Sequence, residues 1–249
     1  MRRLYSCLLL SVFISAFARA ADKPSPGAPG APGAPVPAAT ADAKDKKDDA
    51  IVSLFDGKTM GKWKVTNFGG EGEVETKDGV LVIKEGNPLS GVTWKEEPPA
   101  RMNYEITLEA QRTEGGDFFL GLTVPVNKQN ISLILGGWGG GVSGLSSIDG
   151  MDASENETTQ FLTYKKGQWY KVRLRVLEKR ITAWLDGKCI VDVDTTEKKI
   201  GIRIEVDASC PLGIATYSTT GSFRDIKLKK LSAEEAKKAA EEKIEVKKD

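Results

Sequence analysis

The sequence predicts an all-β body, a sandwich of two antiparallel sheets. Three observations predict it. From Trp169 to Thr195 apolar and charged residues alternate, which is the period of a half-buried strand. Between Ile51 and Leu231 no stretch repeats apolar residues at helical spacing. Turn signals recur at close intervals, without the strand–helix–strand rhythm of a parallel sheet.

The alternating stretch sets the pattern. Tyr170, Val172, Leu174 and Val176 form one row, and Lys171, Arg173 and Arg175 the opposite one. Glu178-Lys179-Arg180 turns the chain, and Ile181, Ala183 and Leu185 resume the inward row. Asp186-Gly187 is a two-residue hairpin signal, because such turns need positive φ and glycine adopts it freely. Cys189, Val191 and Val193 are expected to face inward next. Met102, Tyr104, Ile106, Leu108 and Ala110 alternate with polar residues and predict a long strand. Past the turn Glu114-Gly115-Gly116-Asp117, Phe118, Leu120, Leu122 and Val124 form an inward row. Phe119 is then expected to project from the other face, where packing under a loop explains it as well as a ligand does. Val80 to Ile83, Asn130 to Leu135, Gln160 to Tyr164, Ile200 to Val206, Gly213 to Ser218 and Phe223 to Leu228 also read as strands. This many short strands fits a two-sheet jelly roll.

The ends differ from the body. Arg2 and Arg3, the uncharged run Leu8 to Phe17 and Ala18-Arg19-Ala20 have the form of a cleavable leader over residues 1–20. The chain is therefore expected to be exported, periplasmic or extracellular. The apolar run is short for a bilayer, and no later segment is long and apolar enough to cross one. Residues 21–50 are rich in Pro, Ala and Gly and read as a disordered linker, since they offer little apolar surface to offset their ordering entropy. The jelly-roll domain is expected over 51–231. In the tail, 232–249, Ser232 and Glu235 match a capping box before an Ala-, Glu- and Lys-rich run, which predicts a short exposed helix.

Composition excludes several function classes. The chain has 36 Lys and Arg against 35 Asp and Glu, with no basic stripe for nucleic acid. It has no histidine, which removes Ser-His-Asp catalysis and leaves a zinc site poorly supported. Cys189 and Cys210 could pair in an oxidising compartment or remain as buried thiols.

The opening Leu54-Phe55-Asp56-Gly57-Lys58-Thr59-Met60-Gly61-Lys62-Trp63 resembles the N-terminal motif of the 3-keto-disaccharide hydrolase family. The hairpin Ile181 to Val193 and the closing Phe223 to Leu231 resemble that family's C-terminal half, in the right order. The resemblance implies a concanavalin A-like jelly roll and a carbohydrate-related role. The chemistry it implies is cleavage of 3-keto-glycosides. A base removes the proton at C2, the glycosidic oxygen leaves from C1, and water adds to the product. A divalent cation could stabilise the enolate. The chain departs from the family pattern in its middle block and in having no histidine for a base or ligand.

That middle block, Gly136 to Thr159, is the candidate site. Its glycines can bend the backbone around Trp138, and Asp149, Asp152, Glu155 and Glu157 bring four carboxylates into nine positions. Sugar recognition needs an aromatic plane for the apolar ring face and acids or amides for the hydroxyls. Trp138, Asn156 and Thr158, with Asp117 nearby, are the candidate substrate-binding residues, and the four acids the candidate catalytic ones. Asp117 could equally cap its own turn. A long surface loop with a buried Trp and solvated acids also fits. The acids would suit a divalent cation such as calcium, although their spacing is not that of an EF-hand. No other cofactor or metal is expected. Glu205 and Asp207 resemble the paired carboxylates of jelly-roll glycanases, but Cys210 stands where a third acid is needed, which disfavours a conventional two-carboxylate glycosidase. Three functions remain open: a 3-keto-glycoside hydrolase or lyase, a non-catalytic carbohydrate-binding module, and a structural domain on a tether. The oligomeric state is not legible.

Overall fold

A computed structural model describes residues 51–246; the expected leader, 1–20, and linker, 21–50, lie outside the described residues. In chain order the strands are β1 (Ile51–Ser53), β2 (Trp63–Val65), β3 (Val74–Lys77), β4 (Val80–Ile83), β5 (Leu89–Trp94), β6 (Tyr104–Gly115), β7 (Leu120–Val126) and β8 (Gln129–Gly137). They continue as β9 (Val142–Ser146), β10 (Gln160–Phe161), β11 (Trp169–Val176), β12 (Arg180–Leu185), β13 (Lys188–Asp194), β14 (Gly213–Tyr217) and β15 (Thr219–Lys230). A 3₁₀ turn, Ile204–Ser209, precedes β14, and helix α1, Ala233–Glu241, follows β15.

Two antiparallel sheets form the expected sandwich. One has eight strands in the order β13-β12-β11-β6-β15-β4-β3, with β1 also on β15, and the other seven in the order β10-β9-β8-β7-β14-β5-β2. Their inner faces share one core. Leu81, Ile83, Ile106, Leu108 and Leu174 of the first meet Leu120, Leu122, Leu133, Leu135 and Ile214 of the second. Burying each such side chain contributes about 1.5–3 kcal/mol. The Leu54-to-Trp63 motif is structural. Trp63 is buried and its Nε1 donates to the Leu54 carbonyl at 2.8 Å, while Asp56 accepts from the Lys58 and Thr59 amides at 2.7 Å each.

The structure differs from the sequence reading in several places. The long strand begins at Tyr104 rather than Met102. Phe119, not Phe118, enters the core, and Phe118 faces outward. Alternation applies only within the ladder, which begins at Leu120; the two phenylalanines precede it, in a bend opened by Gly115 at φ 82°. A register shift between Ala183 and Trp184 has a similar effect on β13: Ile190 joins the core, and Cys189 pairs opposite Trp184 outside it. Ile200 to Val206 is not a strand. Ile200 makes one bridge, to Ile148, and the 3₁₀ turn begins at Ile204. Both cysteines are free thiols, because Cys189 sits in the eight-stranded sheet while Cys210 ends the 3₁₀ turn, which packs on β5 and β14 of the other.

Helix α1 starts at the expected capping box, with Glu235 N donating to Ser232 Oγ and Ser232 N to Glu235. It rests on the outer face of the eight-stranded sheet. Arg175 donates to Glu242 at 2.7 Å, Arg180 to the carbonyls of Ala240 and Glu242 at 3.1 and 2.7 Å, and Lys229 pairs with Glu235 at 2.6 Å. Cations at the carboxyl end of a helix favour its dipole.

Candidate functional site

The outer face of the seven-stranded sheet carries a cleft of about 250 Å³. Its floor follows from register. Leu89 of β5 pairs with Tyr217 of β14, Ser132 of β8 pairs with Ser146 of β9, and Ile134 lies two residues on from Ser132; antiparallel partners share a face, and all five line the cleft. Ser132 and Ser146 add hydroxyls beside it. Ser132 Oγ bonds Thr123 Oγ1 at 2.8 Å, and the buried Ser146 Oγ has no protein partner.

Aromatic residues wall the cleft. Phe118 and Tyr217 stand with ring centroids 5.8 Å apart, and Trp138, 43% exposed, projects from the loop between β8 and β9. That loop is held from beneath. Arg112 is only 6% exposed, and its Nη2 donates to the carbonyls of Gly136 and Gly140, each at 3.1 Å. The guanidinium also lies against the rings of Phe119 and Tyr164, 5.3 and 5.8 Å from their centroids. Burial lowers the Arg112 pKa from the usual guanidinium value. Gly136 is required, since a Cβ there would collide with Arg112. From above, Asp117 accepts the Gly139 amide at 2.8 Å and its neighbour Phe118's at 2.7 Å. Trp138 is thereby fixed at φ 48°, a conformation unusual for a side chain of its size.

Arg203, Glu205 and Val206 close the opposite side. Arg203 holds Glu205 through both Nη2, at 2.6 Å, and Nε, at 3.3 Å, and gives Nη1 to Asp152 at 2.6 Å. The Arg203 hydrogen bond holds the Glu205 carboxyl below the usual carboxylate range. The cleft thus sets an ionised acid and hydroxyls against aromatic faces, the two-sided character a sugar ring requires.

A family profile described as the 3-keto-alpha-glucoside-1,2-lyase-like domain matches residues 50–229. The chain belongs to this lyase-like family. No curated protein matches it. Among solved structures, a Parabacteroides distasonis protein assigned as a glycosyl hydrolase is 16% identical, over 76% of this chain and 97% of that one, with a TM-score of 0.48. Crh5 transglycosylase in complex with NAG is 8% identical, over 74% of this chain and 84% of that one, with a TM-score of 0.50. Domain 4 of the arabinanase AbnA from Geobacillus stearothermophilus, in complex with arabinotriose, is 16% identical, over 77% and 97%, with a TM-score of 0.48. At 8% identity the Crh5 likeness speaks to the fold alone.

In this lyase-like domain the sequence-predicted residues separate. Trp138 and Asp117 line the cleft, and Asp117 spends its carboxylate on backbone amides. Asp149 accepts the Lys199 amide at 2.8 Å and pairs with Lys198, as does Glu157. Glu155 is exposed. Asp152 reaches the cleft only through Arg203; burial opposes its charge, yet two Ser154 hydrogen bonds and Arg203 keep its pKa low. Asn156 and Thr158 are buried staples. Asn156 Nδ2 donates to the Leu145, Met151 and Asp152 carbonyls, while Thr158 Oγ1 accepts the Leu145 amide and donates to Asn156 Oδ1. The four acids do not converge, and among the described residues no cluster of three or more His, Cys, Asp or Glu side chains is placed to hold a metal. Sequence reasoning missed Phe118, Tyr217, Arg112 and Arg203 as parts of the site. The expectation that one phenylalanine projects from the open face was the available signal, attached to the wrong member of the pair.

Proposed function

We propose that this chain is exported and binds a glycoside in the cleft, where it cleaves 3-keto-glycosides with Glu205 as base. The observation that carries this reading is the Glu205 carboxylate, held ionised by Arg203 beside aromatic walls. An ionised acid suits proton abstraction rather than proton donation. With the sugar ring against Phe118 and Tyr217, Glu205 takes the C2 proton. The electron pair moves through the enolate and the C1–O bond breaks, the leaving oxygen taking the proton that Glu205 has gained; water then adds across the new C1–C2 double bond, its hydroxyl to C1 and its proton to C2. Arg203, which lines the same cleft, supplies the positive charge for the enolate oxygen in this reading. Family membership supports the substrate class, and the leader-like residues 1–20 support export.

The test is turnover of a 4-nitrophenyl 3-keto-glucoside. Glu205→Gln is expected to lower kcat about 10²-fold or more. Full turnover by this variant would remove Glu205 from the chemistry. Cell fractionation of the chain with and without residues 1–20 tests export.

One observation favours a second reading, a binding module without turnover. The cleft's carboxylates are Glu205 and Asp117, and Asp117 is committed to the loop, which leaves no second acid for the leaving oxygen. Under this reading the keto-glucoside binds with Trp138-dependent affinity and is not consumed.

A further inference from the structure

We propose that Ser146 recognises one hydroxyl of the bound sugar, with Ser132 completing the pair of hydrogen bonds. The proposal rests on the carbohydrate reading of the cleft and deepens it, from a ring stacked on aromatics to a ring identified by a particular hydroxyl.

Most polar groups of the cleft are already spent. Asp117 accepts the Phe118 and Gly139 amides. Arg203 is divided between Glu205 and Asp152. Ser146 is the exception: it lines the cleft, is only 2% exposed, and its Oγ has no protein partner. A buried hydroxyl left in that state carries a desolvation penalty, which a ligand bond removes.

The neighbour of Ser146 decides which ligand group fits. Ser132, 1% exposed, is its direct partner across β8 and β9 and also lines the cleft. Cβ atoms of such partners lie about 5 Å apart, so one ligand oxygen between them is within reach of both hydroxyls. Ser132 Oγ shares a single hydrogen bond with Thr123 Oγ1, at 2.8 Å. A hydroxyl has one donor and two acceptor positions, so Ser132 keeps an acceptor position whichever way that bond runs. Ser146 keeps its donor. A ligand hydroxyl matches both, donating to Ser132 and accepting from Ser146. A ketone oxygen has no proton for Ser132, and a methylene matches neither serine.

Backbone pairing places these serines beside the proposed base. The Ser147 amide donates to the Gly201 carbonyl at 2.7 Å, and the Gly201 amide to the Ser147 carbonyl at 3.1 Å. The segment leading into Arg203 and Glu205 is thus stitched to the residue after Ser146. A site that bonds a hydroxyl rejects the analogue lacking it, because its own buried group is then left unpaired, whereas an apolar pocket makes little distinction.

The experiment titrates the full chain with methyl glucoside and its 2-, 3-, 4- and 6-deoxy derivatives, none of which carries the C3 ketone needed for cleavage. One deoxy ligand should bind about tenfold more weakly than methyl glucoside. Ser146→Ala should weaken methyl glucoside by the same factor and leave that one deoxy ligand unchanged. Without ligand, the variant should unfold at the temperature of the unaltered chain or above it, since the lost hydroxyl has no protein partner. A lower midpoint would show that the hydroxyl is engaged within the fold, and a loss shared equally by every ligand would show a changed cleft shape; either overturns the proposal. If Ser146→Ala changes no ligand while Trp138→Ala weakens them all, the pairing is wrong and the cleft stands. If Trp138→Ala changes nothing either, the sugar binds elsewhere and both fall. If no glucoside binds, the pairing falls, and turnover of the 3-keto-glucoside decides the carbohydrate reading separately.

Discussion

Arg203 shows how one side chain can set the chemistry of another. It is shared between Glu205 and Asp152, and its bond to Glu205 favours the ionised carboxylate. Without it Glu205 returns toward an ordinary carboxylate. Arg203→Met is therefore expected to move the acid limb of the kcat/KM–pH profile to higher pH, with Glu205 needing a higher pH to lose its proton. An unmoved limb, measured over the acid range, would separate Glu205 from Arg203. Residue roles of this kind were only partly legible beforehand. Trp138 could be found because an aromatic among glycines is conspicuous. Arg203 could not, because its partners Asp152 and Glu205 are brought together by a bridge between Ile148 and Ile200 that no local pattern announces.

Helix α1 is an element whose attachment depends on ionised acids. The Lys229 hydrogen bond, with the Ser232 amide, brings Glu235 down to about 2, and the Arg175 hydrogen bond lowers Glu242. Carboxylates with folded values below 4.5 stabilise the docked helix above that pH, and the contribution is lost as pH falls from there toward about 2. Hydrogen exchange of residues 233–241 should accelerate over that window while the strands stay protected. Exchange independent of pH across it would show that these pairs do not hold the helix. The helix itself was legible from Ser232 and Glu235, since a capping box is a local signal. Its seat was not, because Arg175 and Arg180 lie far from it in sequence. The strands were legible wherever both rows were unbroken, as in β6 and β11. They were misread at bends and bulges, where the period of two is interrupted at Phe118 and again at Ala183.

At the scale of the whole molecule, the inner sheet faces supply stability and the outer face of the seven-stranded sheet supplies the site. The neighbours Phe118 and Phe119 divide along that line. Phe119→Ala should cost about 3–5 kcal/mol in denaturant unfolding, because it empties a buried position. Phe118→Ala should cost less and weaken sugar binding. Equal losses of stability from both would mean that the outer face shares in holding the sandwich together. The two-sheet architecture could be read from alternation alone, whereas the hollow could not. It arises where Leu89, Tyr217, Ser132, Ile134 and Ser146 come onto one face of β5, β14, β8 and β9, and that alignment exists only after pairing. Helix α1 and the cleft occupy opposite outer faces. A tag, dye or solid support joined to this helix would therefore grip the molecule by its back and leave the hollow facing the medium.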